Sequence, residues 1–168
     1  MTKRILLVDD DRSIRESLSK ILRAENYEVL LGENGQQAIE NYGAEHIDLL
    51  ILDLNADASG VTNAWATSLE RLVGSNPMLP VVIITGRSNQ RGVAESAGAD
   101  ALMEKPLDVP LLLQTIRELL IEPKESRARR ANNRVSSFRY VPCDNEVFRE
   151  MMLKRHDTPY PFPASKDG

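Results

Sequence analysis

Only one cysteine, Cys143, occurs in the 168 residues, so neither an internal disulfide nor a thiolate metal cluster can form within the chain. Aromatic residues are few at 5%, and 42% hydrophobic with 27% charged residues is the composition of an ordinary soluble protein. No apolar run approaches membrane-spanning length. Ile5–Val8 is too short for a signal peptide and is followed at once by acids, so a cytoplasmic location with no membrane partner is expected. No glycine-rich phosphate loop follows the first apolar run, which argues against a nucleotide-binding enzyme of the doubly wound kind. There is no internal repeat.

Charge is present but unevenly placed. Residues 1–122 carry 11 Lys/Arg against 19 Asp/Glu, whereas residues 123–168 carry 10 against 6. An acidic body and a basic tail result, and the acidic body argues against nucleic acid as a partner of the first part. The length accommodates one domain of about 100–150 residues with an appendage. The division is expected at residue 122, with a domain over 1–122 and a basic tail over 123–168.

The run Ile47–Leu54 organises the body. It is short, apolar and branched, the pattern of a strand buried on both faces of a parallel sheet, and Asp53 falls at its carboxyl end. Similar runs are Arg4–Val8, Tyr27–Leu31, Val81–Ile84 and Ala101–Met103. Between and after them, helical spacing recurs over Ser13–Ala24, Gln36–Tyr42, Thr62–Val73, Asn89–Ala97 and Val109–Ile121. Five strands alternating with five helices predict a doubly wound, five-stranded parallel α/β sheet of order 2-1-3-4-5, followed by a short C-terminal extension.

In such a sheet the polar residues that end the strands meet at one edge. If the first and third strands are neighbours, Asp9, Asp10 and Asp53 converge there. Three anions about 4 Å apart repel by roughly 4 kcal/mol per pair at an effective dielectric near 20, so the cluster needs a cation or a proton. Mg²⁺, a hard ion with oxygen ligands and retained waters, suits acids that leave positions open for phosphate oxygens. Thr85 adds a hydroxyl and Lys105 a point positive charge, at the ends of the fourth and fifth strands. A carboxylate nucleophile with a metal, a lysine and a hydroxyl is a set that stabilises a phosphoryl group in transfer. Singly, each residue has a plainer reading as helix cap, solvated charge, turn or loop. Lys105-Pro106 is also a candidate cis peptide.

Ile5-Leu6-Leu7-Val8-Asp9-Asp10-Asp11, Asp48–Leu54, Ile83-Ile84-Thr85-Gly86, Ala97-Gly98-Ala99-Asp100 and Glu104-Lys105-Pro106-Leu107 together resemble the receiver domain of two-component response regulators, over residues 3–121. The resemblance implies the flavodoxin-like receiver fold, and that Asp53 accepts a phosphoryl group from a histidine kinase or phosphotransfer protein. It implies Mg²⁺ held by Asp10 directly, by Asp9 through water, by Asp53 and by the backbone carbonyl of Asn55, with Thr85 and Lys105 on the phosphoryl oxygens. Such a protein is a phospho-acceptor that assists its own phosphorylation and dephosphorylation rather than an enzyme. Two departures stand out: Asn55–Gly60 replaces the usual loop after Asp53, and Leu102 stands where the family has an aromatic three positions before the lysine. Asn55 and Arg87 flank the path of an attacking water and are expected to tune phosphoryl lifetime.

The 46 residues beyond Glu122 are too few for the family's usual winged-helix output domain. A stand-alone regulator without a DNA-binding output domain is therefore expected, acting through an unknown downstream protein, with homodimerisation left open. A phosphorylation-independent, receiver-like binding module is the alternative. The tail is expected to dock on the body or on a partner through Phe138, Tyr140, Phe148 and Met151, with one short helix over 144–156.

Overall fold

The computed structural model describes residues 2–42, 45–54, 69, 74, 76–87, 89–123, 125–128 and 138–142. Strands β1 (Arg4–Val8), β2 (Glu28–Gly32), β3 (Leu49–Asp53), β4 (Val81–Thr85), β5 (Ala101–Glu104) and β6 (Arg139–Val141) form one sheet of order β2-β1-β3-β4-β5-β6. All pairings are parallel, with Leu7 opposite Ile51 and Asp53 opposite Ile84. β3 and β4 are buried at every position, as continuous aliphatic runs in a parallel sheet must be.

Successive side chains point to opposite faces, so each strand feeds two cores. Leu6, Val8, Leu50, Leu52, Ile83 and Leu102 enter one of them. Ile5, Leu7, Leu49, Ile51, Val82 and Ile84 enter the other, where Leu18 and Leu22 of α1 (Arg12–Ala24) and Leu112 and Ile116 of a C-terminal helix (Val109–Ile121) cover them. The polar sequence around each helix start supplies its cap: Asp11 accepts from the amides of Ser13 and Ile14, and Asp108 from that of Leu111. Two shorter helices, α2 (Gly35–Tyr42) and α3 (Arg91–Ser96), lie between α1 and that helix, α4. Gly32 ends β2 where a side chain would meet the Ala38 methyl at 3.1 Å, so the missing Cβ lets α2 close onto the sheet. Gly98, at φ 89°, turns the chain from α3 into β5. Of the helix expected over Thr62–Val73, Leu69 is helical and fully buried, and the remainder lies outside the described residues.

Among the described residues the sheet has six strands rather than the five expected. The additional one, β6, comes from the tail and pairs with β5, placing Tyr140 beside Leu102 and Val141 beside Met103. Three residues carry too little periodicity to announce a strand; the exposed hydrogen-bonding edge of β5 makes them one. Docking is reinforced by Arg139, which donates to Thr115 Oγ1 at 3.0 Å and to Glu118 on α4. Ahead of β6, the buried Arg127 reaches Asp100 at 3.2 Å and the Leu119 carbonyl at 3.4 Å. Phe138 and Tyr140 thus pack on the body, as expected, while Phe148, Met151 and the helix expected over 144–156 lie outside the described residues.

Candidate phosphoryl and metal site

The carboxyl ends of β1, β3, β4 and β5 deliver Asp9, Asp53, Thr85 and Lys105 to one edge of the sheet. Parallel register does this: each of these strands stops at its last core aliphatic or one residue after it, and a polar residue emerges at the same level. The Leu54 amide donates to the Ile84 carbonyl at 3.0 Å, and the Lys105 amide to the Thr85 carbonyl at 2.7 Å. These bonds fix the backbone beneath Asp53 and Lys105. The Lys105–Pro106 peptide is cis, as the sequence suggested.

Asp9, Asp10 and Asp53 each offer a carboxylate oxygen within 4.8 Å of the others'. Asp9 and Asp53 are 1% and 2% exposed, whereas Asp10 is open to solvent. Lys105 Nζ lies 2.6 Å from Asp53 Oδ2 and 3.4 Å from Asp9 Oδ2, tying the two buried acids together. Three carboxylates against one ammonium leave an excess of negative charge in a site where two of the acids are buried and the third faces water.

Protonation reflects that imbalance. Burial, reinforced by the neighbouring charge of Asp53, raises the Asp9 carboxyl above the usual carboxylate range, although the Asp11 amide and Lys105 pull it back. Burial also works against the Lys105 ammonium, but its hydrogen bond to Asp53 and the charges of Asp53 and Asp9 outweigh it, so the lysine titrates above its ordinary value. A divalent cation would relieve the same imbalance, and an all-oxygen donor set that is partly open to water suits Mg²⁺.

Thr85 is fully buried, with its hydroxyl accepting from the Arg87 amide at 3.0 Å. Arg87 itself is exposed. Asn55 lies outside the described residues. Sequence reasoning missed Arg15, and named Tyr140 only as a docking residue of the tail. Arg15 is 8% exposed and donates to the Asp9 carbonyl, and Tyr140 donates to Glu104 Oε1 at 2.8 Å, next to Lys105. A signal for Arg15 existed: with Leu18 and Leu22 it falls on the inward face of α1.

Comparison with known proteins agrees with this geometry. The response regulator receiver domain family matches residues 5–117. The response regulator MprA of Mycobacterium tuberculosis is 34% identical over 155 residues; the match takes in 89% of this chain and 64% of the relative, so the chain spans under two thirds of that protein's length. Among solved structures, a CheY-like receiver domain protein from Methanospirillum hungatei superposes with a TM-score of 0.64 at 29% identity, covering 77% of this chain and 98% of that one. TrrA of Thermotoga maritima, solved in complex with Mg²⁺-BeF, gives 0.62 at 29% identity, covering 71% and 100%. No described helix is long and apolar enough to cross a membrane. With its sheet order, its acidic strand ends and a family match over most of its length, the chain belongs to the response regulator receiver domains of two-component signalling.

Proposed function

We propose that Asp53 accepts a phosphoryl group, with Mg²⁺ held by Asp10, Asp53, the Asn55 carbonyl and, through water, Asp9. The observation that carries this reading is the buried Asp53 carboxylate bound to Lys105 at 2.6 Å with two further acids beside it. The donor is a phosphohistidine of a kinase or phosphotransfer protein. An Asp53 oxygen forms the new P–O bond as the donor's P–N bond breaks, and the imidazole leaves with a proton. Mg²⁺, when bound, supplies charge neutralisation of the entering phosphoryl oxygens. Lys105, already on Asp53, moves its ammonium onto a phosphoryl oxygen, and the Thr85 hydroxyl turns from the Arg87 amide to donate to another.

On this reading the chain is a substrate and switch rather than an enzyme, assisting its own phosphorylation and hydrolysis. Its output is contact with another protein, a reading supported by the acidic body and by a tail built into the sheet beside the site. Incubation with acetyl phosphate and Mg²⁺, followed by intact mass, tests the proposal. One phosphoryl increment that requires Mg²⁺ and is lost in Asp53→Asn is expected. A folded protein that gains no phosphoryl group would instead be a phosphorylation-independent binding module.

A further inference from the structure

We propose that Arg15 is a positioning residue for the divalent cation, clamping the Asp9–Asp10 peptide so that the Asp10 carboxylate faces the metal. The inference rests on the metal reading given above. Asp9 is held at four points: its amide donates to the Gly32 carbonyl at 3.2 Å, its Oδ1 accepts from the Asp11 amide at 2.8 Å, its Oδ2 from Lys105, and its carbonyl oxygen from Arg15 Nη1. That carbonyl belongs to the peptide unit joining Asp9 to Asp10. Its orientation sets the direction in which the exposed Asp10 leaves the loop. Arg15 grips it from α1 and extends its other guanidinium nitrogen to Glu33 Oε1 at 3.3 Å, beyond the end of β2. The Glu33 amide is in turn held by Gln37 Oε1 at 2.8 Å. One planar, two-handed side chain thus joins the loops after β1 and β2, a geometry that a lysine cannot reproduce.

Electrostatics alone would disfavour an arginine here. A permanent cation buried beside the acid cluster repels the divalent ion that the cluster collects, and burying it carries a desolvation cost. Its contribution to metal binding must therefore be geometric and large enough to outweigh the repulsion. The two effects predict opposite signs when the charge is removed.

Mg²⁺ and, separately, Ca²⁺ are titrated by isothermal calorimetry into the full chain, Arg15→Gln and Arg15→Lys, each checked for folding by far-ultraviolet circular dichroism. Arg15→Gln is expected to weaken Mg²⁺ binding by about 10–100-fold, the effect typical of losing a group that orients a ligand. Ca²⁺ binding should weaken less, because Ca²⁺ tolerates irregular coordination and Mg²⁺ demands near-octahedral geometry. Arg15→Lys, which keeps the charge and loses the fork, should also weaken Mg²⁺, and it decides the matter if Arg15→Gln does not fold. Unchanged Mg²⁺ affinity in the variants, or tighter binding in Arg15→Gln, would overturn the clamp. An unsubstituted chain that binds no Mg²⁺ would defeat the metal reading itself; binding there with unaltered variants would defeat only the role of Arg15.

Discussion

Tyr140 and Glu104 are joined by a hydrogen bond of 2.8 Å, and Glu104 is both the register partner of Thr85 and the residue before Lys105. The guanidinium of Arg91 lies 5.5 Å from the centre of the same tyrosine ring. The tail strand is therefore fastened one residue away from two members of the site, by a side chain lying beside Leu102.

Replacing Tyr140 by Phe keeps the ring and removes the bond. The expected cost to β6 docking is about 0.5–1.5 kcal/mol, the usual net worth of such a bond. It should be visible as faster amide exchange at Tyr140 and Val141 while β3 and β4 stay protected. Unchanged exchange in β6 would show that the bond contributes nothing to docking.

Occupying the site should be felt in the same strand. If Lys105 and Thr85 both move onto a phosphoryl oxygen, Glu104 moves with them. Beryllofluoride with Mg²⁺ is then expected to shift the amide resonances of Arg139–Val141 as well as those around Asp53, and Tyr140→Phe should shrink the β6 shifts selectively. A response that stops at β5 would disconnect the tail from the switch.

Asp9→Asn should stabilise the metal-free protein by about 0.5–2 kcal/mol, in the range of substitutions that relieve functional strain, and should weaken Mg²⁺ binding. Its pH dependence follows from the raised carboxyl of Asp9. The folded state holds the proton more tightly than the unfolded chain. Stability from this group is thus complete below the unfolded value, about 3.9, and is lost as pH rises through the folded one. Urea unfolding of the two proteins at several pH values should therefore show a gap that is small in acid and widens upward. A gap that is constant with pH would contradict the assignment to Asp9.

Lys105→Met leaves the acids without their cation. The protein should lose about 1.5–3 kcal/mol, as expected for hydrogen bonds to charged groups. Because the lysine's folded value lies above its unfolded one, its contribution is complete below about 10.4 and covers all of neutral pH. Mg²⁺ binding should tighten, since a competing positive charge is gone, while the mass increment with acetyl phosphate should vanish. Retained phosphorylation would remove Lys105 from the transfer step.

The strands that build the site were legible because burial on both faces of a parallel sheet leaves aliphatic runs such as Leu49–Leu52, and because a polar residue ending such a run can only emerge at the sheet edge. Asp9, Asp53, Thr85 and Lys105 were found on that logic. Boundaries shifted by a residue or two, as with β2, which begins at Glu28 and includes Gly32. Other features depend on partners that a linear pattern does not name. Arg-Tyr-Val after a basic stretch is a strand only because β5 lies open beside it. Arg15 falls on the inward face of α1, but what it does there is readable only once the Asp9 carbonyl and Glu33 are known to stand opposite it.

A sheet's last strand is also the surface on which a stranger can polymerise. β5 is buried from Ala101 to Met103 and, left bare, would offer a flat apolar template to any extended segment. Its cover is only three residues long, opens with a charged arginine and is followed by the exposed Pro142, which has no amide proton to extend a ladder. The tail thus exchanges a largely apolar border of four residues for one of three that opens on a charge and ends at a proline. Shortening the chain to end before Phe138 should cost solubility before it costs the fold.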